Sequence, residues 1–182
     1  VLNMNAVSKL ARLTESPWIK VRSNKSCAIE FWNWLPIEGI SETVNDLNGS
    51  LTNFYAVLAD PCLSGELINE LSFTPLSQIE WEKAREYDYT EPEKCDPSDP
   101  SIGRAKAFFL RVRQSRQGLG KDYTTPTTRT RRGMNEQVSA WLSAVDGLPE
   151  CHERLRRAEI RNLDFVDFIR KYDHPRALFY CD

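Results

Sequence analysis

Two short strand-like segments, centred on Val44 and Ile160, constrain the fold more than any other feature of this sequence. Residues 42–46 and 158–162 each end in polar residues, and a helical pattern follows each of them. Residues 177–181 have the pattern of a further, buried strand. Strand–helix–strand units at both ends of a chain are typical of a parallel sheet with helices packed on it. The sequence therefore predicts an α/β fold.

The long stretch between these strands is helical by pattern. Apolar residues recur at helical spacing after Asn48, and Pro61 should end that helix. Thr74 and Pro75 form a helix-start signal. Further helices are predicted for residues 63–71, 74–87, 102–117 and 135–145, and a loop or hairpin for 118–133. We therefore divide the chain into the first part of a core (1–60), a helical insert (61–146) and a return to the core (147–182).

Charge is distributed unevenly along the chain. The 182 residues hold 24 Lys and Arg against 26 Asp and Glu, and this net charge of −2 excludes a uniformly basic DNA-coating protein. Residues 101–135 nevertheless hold nine basic side chains and one acid, next to an acidic block at 80–100. This excess of positive charge is larger than the usual mixture of charges on a protein surface. We call residues 101–135 the basic block.

The composition of the basic block suits nucleic acid. Arginine side chains match phosphates and guanine edges, whereas Gln and Asn side chains match adenine edges. We predict contacts to double-stranded DNA through Arg111, Arg113, Gln114, Arg116, Arg129, Arg131, Arg132 and Asn135. The alternative is a solvated helix face that pairs with the acidic block, and charge alone does not decide between the two.

Acidic residues follow the predicted strands. Asp46 and Asp164 each stand between a strand and a helix, which is the ligand-binding edge of a parallel sheet. There Asp46 could accept hydrogen bonds from two ribose hydroxyls, and Asp164 could accept one from an adenine amino group. The alternative for both is an ordinary helix cap. Asp182, at the tip of the last strand, would point into the same crevice, or would simply be where the chain stops.

The cysteines and the hydropathy of the sequence argue against a metal-binding protein and against a membrane protein. The five cysteines are widely spaced, form no CxxC pair and have only two histidines to assist them, so we expect no metal site. Unpaired cysteines fit a reduced, cytoplasmic setting. No apolar run approaches the ~20 residues that span a bilayer, so we expect no membrane contact. We also expect a monomer.

Several segments, in order along the chain, resemble Dam-type adenine-specific DNA methyltransferases. Residues 42–55 (ETVNDLNGSLTNFY) look like the second cofactor motif of that family, and residues 129–141 (RTRRGMNEQVSAW) resemble the end of its target-recognition insert. Residues 148–157 (LPECHERLRR), 160–164 (IRNLD) and 178–182 (LFYCD) look like the approach to its Asp-Pro-Pro-Tyr motif. The resemblance covers roughly residues 26–182 and does not extend to residues 1–25.

This resemblance implies a Rossmann-like methyltransferase core with a DNA-recognition insert, and methyl transfer from S-adenosylmethionine to the exocyclic amine of adenine. By position, Asp182 would be the catalytic acid that accepts a hydrogen bond from that amine. Asp46 would bind the cofactor ribose and Asp164 the cofactor adenine. The basic block would hold DNA phosphates and read the site.

The sequence departs from the family in two places. Residues 23–26 read SNKS where the family has a glycine-rich cofactor loop before the helix expected at 28–34. The chain also stops after Asp182, before the two prolines and the tyrosine. We therefore expect a fragment of a methyltransferase with weak or no activity by itself. The alternatives are a non-enzymatic DNA-binding fragment and a pseudogene product without activity.

Overall fold

The computed structural model describes residues 41–90, 99–177 and 179. The elements of this part, in chain order, are β1 (Glu42–Asn45), α1 (Gly49–Ala59), α2 (Pro61–Ser72), α3 (Gln78–Thr90), α4 (Ile102–Arg113), β2 (Thr130–Arg131), β3 (Met134–Asn135), α5 (Glu136–Asp146), α6 (Leu148–Leu155), β4 (Ala158–Arg161) and α7 (Phe165–Tyr172). A single 3-10 turn, Arg116–Gly118, follows α4.

The two strands that the sequence predicts near Val44 and Ile160 are present and pair with each other. They run in parallel, with Val44 opposite Ile160 and Asn45 opposite Arg161. Both Val44 and Ile160 pack against the helical core. On the other face, Thr43 Oγ1 donates to a carboxylate oxygen of Glu159 at 3.4 Å. The prediction of an α/β fold with parallel strands is confirmed, as a mostly helical structure with a small two-stranded parallel sheet.

Helix starts follow the local capping signals in most places. The Asn48 side chain accepts from the backbone N–H groups of Ser50 and Leu51, and the Asp60 side chain accepts from those of Cys62 and Leu63. Both caps fill backbone donors that the first helical turn leaves free. Pro61 does not simply end α1, as predicted, because it also forms the first turn of α2, where its missing N–H group is harmless.

The predicted helix start at Thr74-Pro75 is wrong, because α3 begins at Gln78. Thr74 is buried, and its Oγ1 donates back to the carbonyl of Glu70 at 2.8 Å. The Thr74 carbonyl in turn accepts from the Trp141 indole at 2.9 Å. A partner 67 residues away therefore holds Thr74 in a turn where local propensity favours a helix cap.

One apolar core joins α1 to the predicted insert. The Phe54 ring of α1 stacks on Phe109 of α4 with centroids 5.5 Å apart, and Phe109 in turn contacts Trp141 of α5 at 5.6 Å. Leu67 of α2 and Leu155 of α6 are fully buried in the same cluster. The helices of residues 61–146 and the helix that follows β1 thus share their hydrophobic burial, and neither set of helices packs separately.

Residues 114–135 form two linked loops rather than a continuation of α4, which ends at Arg113 and not at Gln117 as predicted. The 115–124 loop is closed by a bridge between Ser115 and Tyr123. The 129–135 hairpin pairs β2 with β3, in accord with the predicted loop or hairpin. Its two-residue turn has positive φ at Arg132 (55°) and Gly133 (75°), the geometry that matches the twist of a tight hairpin.

Candidate functional site

The first candidate region is the edge at which β1 and β4 end, named here the carboxyl edge (residues 45–50 and 161–166). Side-chain amides join its two halves. Asn45 Nδ2 donates to the Leu163 carbonyl and Asn45 Oδ1 accepts from the Leu163 N–H, both at 2.9 Å. Asn162 Nδ2 donates to the Asp46 carbonyl at 2.8 Å. These bonds fix the strand that carries Asp46 beside the strand that carries Asp164.

Asp46 and Asp164 are therefore brought to one edge of the same sheet, as the sequence predicts. Each carboxylate also makes a local contact. Asp46 Oδ1 accepts from the Asn48 N–H at 2.7 Å, and Asp164 Oδ1 accepts from the Val166 N–H at 2.9 Å. Asp164 is thus the N-cap of α7, and the cap of α1 is Asn48 rather than Asp46. The capping alternative is observed at Asp164, but in each case only one carboxylate oxygen is used.

Large apolar side chains lie exposed next to these acids, which the sequence analysis missed. Leu47 is 70% exposed and Phe165 is 66% exposed. Each directly follows one of the two acids in the sequence. A carboxylate next to an exposed apolar side chain could contact both the polar edge and the apolar face of a flat molecule. The signal in the sequence was an apolar residue in the cap-to-helix step, where a polar residue is more usual.

The third predicted acid, Asp182, lies outside the described residues, as do the 23–26 loop, the helix expected at 28–34, and residues 178, 180 and 181 of the strand predicted at 177–181. Comparisons of the chain with protein-family models, curated proteins and solved structures found no match. The functional assignment therefore depends on the geometry of the chain itself, at the carboxyl edge and in the basic block.

Four of the predicted DNA-contacting arginines are exposed. Arg116 lies in the 115–124 loop, and Arg129, Arg131 and Arg132 lie in the 129–135 hairpin. The two loops are close, because Thr124 N–H bonds the Gln114 carbonyl and the Thr127 carbonyl accepts from Asn135 Nδ2. Two residues separate the anchor residues Thr124 and Thr127, whose Cα atoms can therefore be at most about 10 Å apart. The two loops that carry the exposed arginines are therefore neighbours in the structure, and Arg132 Nη1 also donates to Ser143 Oγ of α5 at 2.7 Å.

Two predicted base-reading residues do not belong to this surface. Gln114 is fully buried, its Oε1 accepts from the Ser77 N–H at 3.1 Å, and its Nε2 donates to the Pro75 carbonyl at 3.0 Å. Asn135 caps α5 through the Gln137 N–H and donates to the Thr127 carbonyl. Both side-chain amides already bond backbone groups of this chain, so neither is available to bond the edge of a base.

Arg111 and Arg113, in the last turn of α4, are half-buried. The Arg111 guanidinium lies over the Phe108 ring at 5.8 Å and packs against Gly120 of the 115–124 loop. Gly120 has a φ of +67°, a backbone conformation that favours glycine, and a Cβ at this position would lie 2.6 Å from Arg111 Nη1, so the Arg111 side chain would have to shift. Burial lowers the pKa of the Arg113 guanidinium from its ordinary value. Arg111 thus supports the 115–124 loop. Arg113 differs from the four exposed arginines because its side chain is half-buried.

The described residues offer little support for metal binding or for a reactive thiol. Within 41–90 and 99–177, no group of three or more His, Cys, Asp or Glu side chains is placed to hold a metal ion. Cys62 and Cys151 are free thiols, and burial raises the pKa of Cys151 to about 12, with the Glu150 charge adding to the effect. No helix in the described part of the chain is long and apolar enough to cross a membrane.

Proposed function

We propose that this chain is an S-adenosylmethionine-dependent DNA methyltransferase, adenine-specific and Dam-like, with a Rossmann-like core that holds the cofactor at the carboxyl edge. The parallel pairing of β1 with β4 carries the proposal, because it brings Asp46 and Asp164 to the ends of neighbouring strands. In parallel α/β sheets, ligands bind at this edge.

The residues at the carboxyl edge fit a nucleoside. A carboxylate oxygen has two lone pairs, so Asp46 can accept from ribose hydroxyls while Oδ1 keeps its bond to the Asn48 N–H. Asp164 is exposed and its other oxygen could accept from the amino group of the cofactor adenine. Leu47 and Phe165 would supply apolar surface for the flat adenine ring.

The bound cofactor would supply the methyl group, and the protein would position the target amine. That amine is a poor nucleophile because its lone pair is delocalised into the adenine ring. By the family resemblance, Asp182 would accept a hydrogen bond from the amine, localising the lone pair and aiming it at the methyl group. The target base has to leave the duplex to reach the edge. Arg116, Arg129, Arg131 and Arg132 would hold the duplex through its phosphates.

Isosteric substitutions at the two acids test the cofactor site. Asp46→Asn and Asp164→Asn should each weaken S-adenosylmethionine binding about tenfold, the value of one charge-assisted hydrogen bond. Asn serves as an N-cap about as well as Asp, so the folding stability of Asp164→Asn should hardly change. Titration calorimetry measures the affinity, and a thermal melt checks the fold.

Asp60→Asn is the matched control, because Asp60 caps α2 away from the sheet and accepts from Cys62 and Leu63 N–H groups. It should bind the cofactor like the parent chain. If all three variants bind equally well, the carboxyl edge is not the cofactor site. If the parent chain itself releases no heat with the cofactor, the methyltransferase proposal fails.

A DNA-binding protein without methyl transfer is the second candidate. It is favoured by the local use of both carboxylates, since Asp46 and Asp164 each accept from a backbone N–H as ordinary turn and cap residues do. This candidate requires duplex DNA affinity that falls steeply with salt, together with no cofactor heat. Transfer of a radiolabelled methyl group to adenine-containing duplex DNA would exclude it.

A further inference from the structure

We propose that Arg113 is the anchor of an oxyanion-binding site at the junction of α4 with the two basic loops. The ligand would be a phosphate group, and the identification of its source as the DNA backbone rests on the proposed function. Among the nine basic residues of the basic block, Arg113 is the one with a buried side-chain nitrogen that has no hydrogen-bond partner.

The Arg113 side chain is half-buried, and its Nε atom is sealed from solvent without a hydrogen-bond partner. Within the described residues no carboxylate forms an ion pair with it. Burial lowers its pKa, as expected for a charge without compensation. A guanidinium in this state is unfavourable for the folded protein until an anion approaches it.

Capping of α4 does not explain this arginine. A cation near a helix C-terminus often bonds the last carbonyls, but here other donors occupy them. The Leu110 and Val112 carbonyls accept from the Gln114 N–H, and the Arg111 carbonyl accepts from the Trp81 indole at 2.9 Å. The hydroxyl of Ser115 adds a further bond to the Val112 carbonyl at 2.7 Å.

Nearby sequence offers no acid for pairing. Residues 101–136 contain two acids, Asp122 and Glu136. Asp122 is exposed in the 115–124 loop, where its carbonyl holds the Arg116 N–H, and Glu136 accepts from the Thr127 hydroxyl at 3.0 Å. Along this stretch of chain the charge is therefore strongly positive, which favours phosphate binding.

The position of Arg113 places its ligand at the start of the 115–124 loop. Arg113 is the last residue of α4, and the carbonyl of the next residue, Gln114, accepts from the Thr124 N–H. The exposed Arg116 lies three residues further along the chain. A phosphate bound by Arg113 would thus lie close to this loop.

Inorganic phosphate tests the site without DNA. Added at constant ionic strength, phosphate should raise the melting temperature of the parent chain but not that of Arg113→Met. The exposed Arg157, outside the basic block, gives the matched control Arg157→Met, which should respond like the parent. Without phosphate, Arg113→Met should melt no lower than the parent, because it removes a half-buried charge that has no ion-pair partner in residues 41–90 and 99–177. An equal response of Arg113→Met and parent, or no response of the parent, would overturn the proposal.

Binding to duplex DNA then identifies the source of the phosphate. Arg113→Met should bind duplexes of different sequence on the order of tenfold more weakly, uniformly, and with a salt slope smaller by about one. A phosphate effect on the melt without any DNA binding would keep the oxyanion site and reject the proposed function. A loss of affinity confined to one DNA sequence would instead make Arg113 a base reader and overturn its role as a phosphate anchor.

Discussion

The helical core and the two-stranded sheet differ sharply in how they are held. Leu58, Leu67, Leu71 and Leu155 are fully shielded from solvent, and aromatic contacts join α1, α4 and α5. In β1, by contrast, every residue is half-buried, and side-chain amides lock the carboxyl edge. Stability thus resides mainly in the helices, and the sheet edge is free to present polar groups to a ligand.

Removing an aromatic ring from the helical core should produce the largest effect. Phe109→Ala breaks the contacts with Phe54 and Trp141 and should lower the free energy of unfolding by about 4 kcal/mol. Phe73→Ala makes the same change at a residue that is 84% exposed, and should alter it by less than about 0.5 kcal/mol. Urea unfolding measures both. Similar losses in the two variants would contradict a stability concentrated in the core.

The ion pair that ties the sheet to the helices should come next. Both terminal nitrogens of Arg154, on α6, donate to the Glu42 carboxylate at 2.6 Å. Arg154→Met leaves Glu42 partly buried without this partner and should cost about 3 kcal/mol, the lower end for a buried pair, because Glu42 keeps some access to water.

The exposed pair between Arg156 and Glu153 provides the comparison. Arg156→Met should cost less than about 1 kcal/mol, since solvent screens such pairs. Equal losses on chemical unfolding of Arg154→Met and Arg156→Met would mean that the tie between β1 and α6 contributes little to the fold.

The buried amide of Gln114 should give a smaller loss. Gln114→Leu leaves the Ser77 N–H and the Pro75 carbonyl unpaired and should destabilise the protein by about 2 kcal/mol. Preference among duplex DNA sequences should not change, which distinguishes a structural amide from a base reader. Gln78→Leu, at an exposed glutamine, is the control for stability. A relaxed sequence preference without destabilisation would return Gln114 to the DNA-contacting set.

Short-range signals account for what could be predicted from the sequence. The strand-like segments around Val44 and Ile160, each followed by a helical pattern, predicted both strands, and the cap at Asn48 predicted the start of α1, because neighbouring residues decide these features. The parallel pairing of the strands, and with it the shared edge for Asp46 and Asp164, followed from the strand–helix order.

Long-range partners account for what could not be predicted. The sequence around Thr74 predicts a helix cap, but the Trp141 indole bonds the Thr74 carbonyl and holds it in a turn. The sequence around Gln114 predicts contact with adenine, but Ser77 and Pro75 bond its side-chain amide. The charge of Arg113 was visible in the sequence. That its Nε atom has no partner in the described part of the chain was not visible, because it depends on which groups the fold brings near.

The most direct test of the proposed cofactor site at the carboxyl edge is an amide NMR titration of the full chain with S-adenosylmethionine. We expect the largest shifts in two segments at once, residues 45–50 and 162–166, including the Asn48 and Val166 N–H groups bonded to the two acids. Shifts confined to one of these segments, or found only in the helices and basic loops, would contradict a cofactor site shared by the two strand ends.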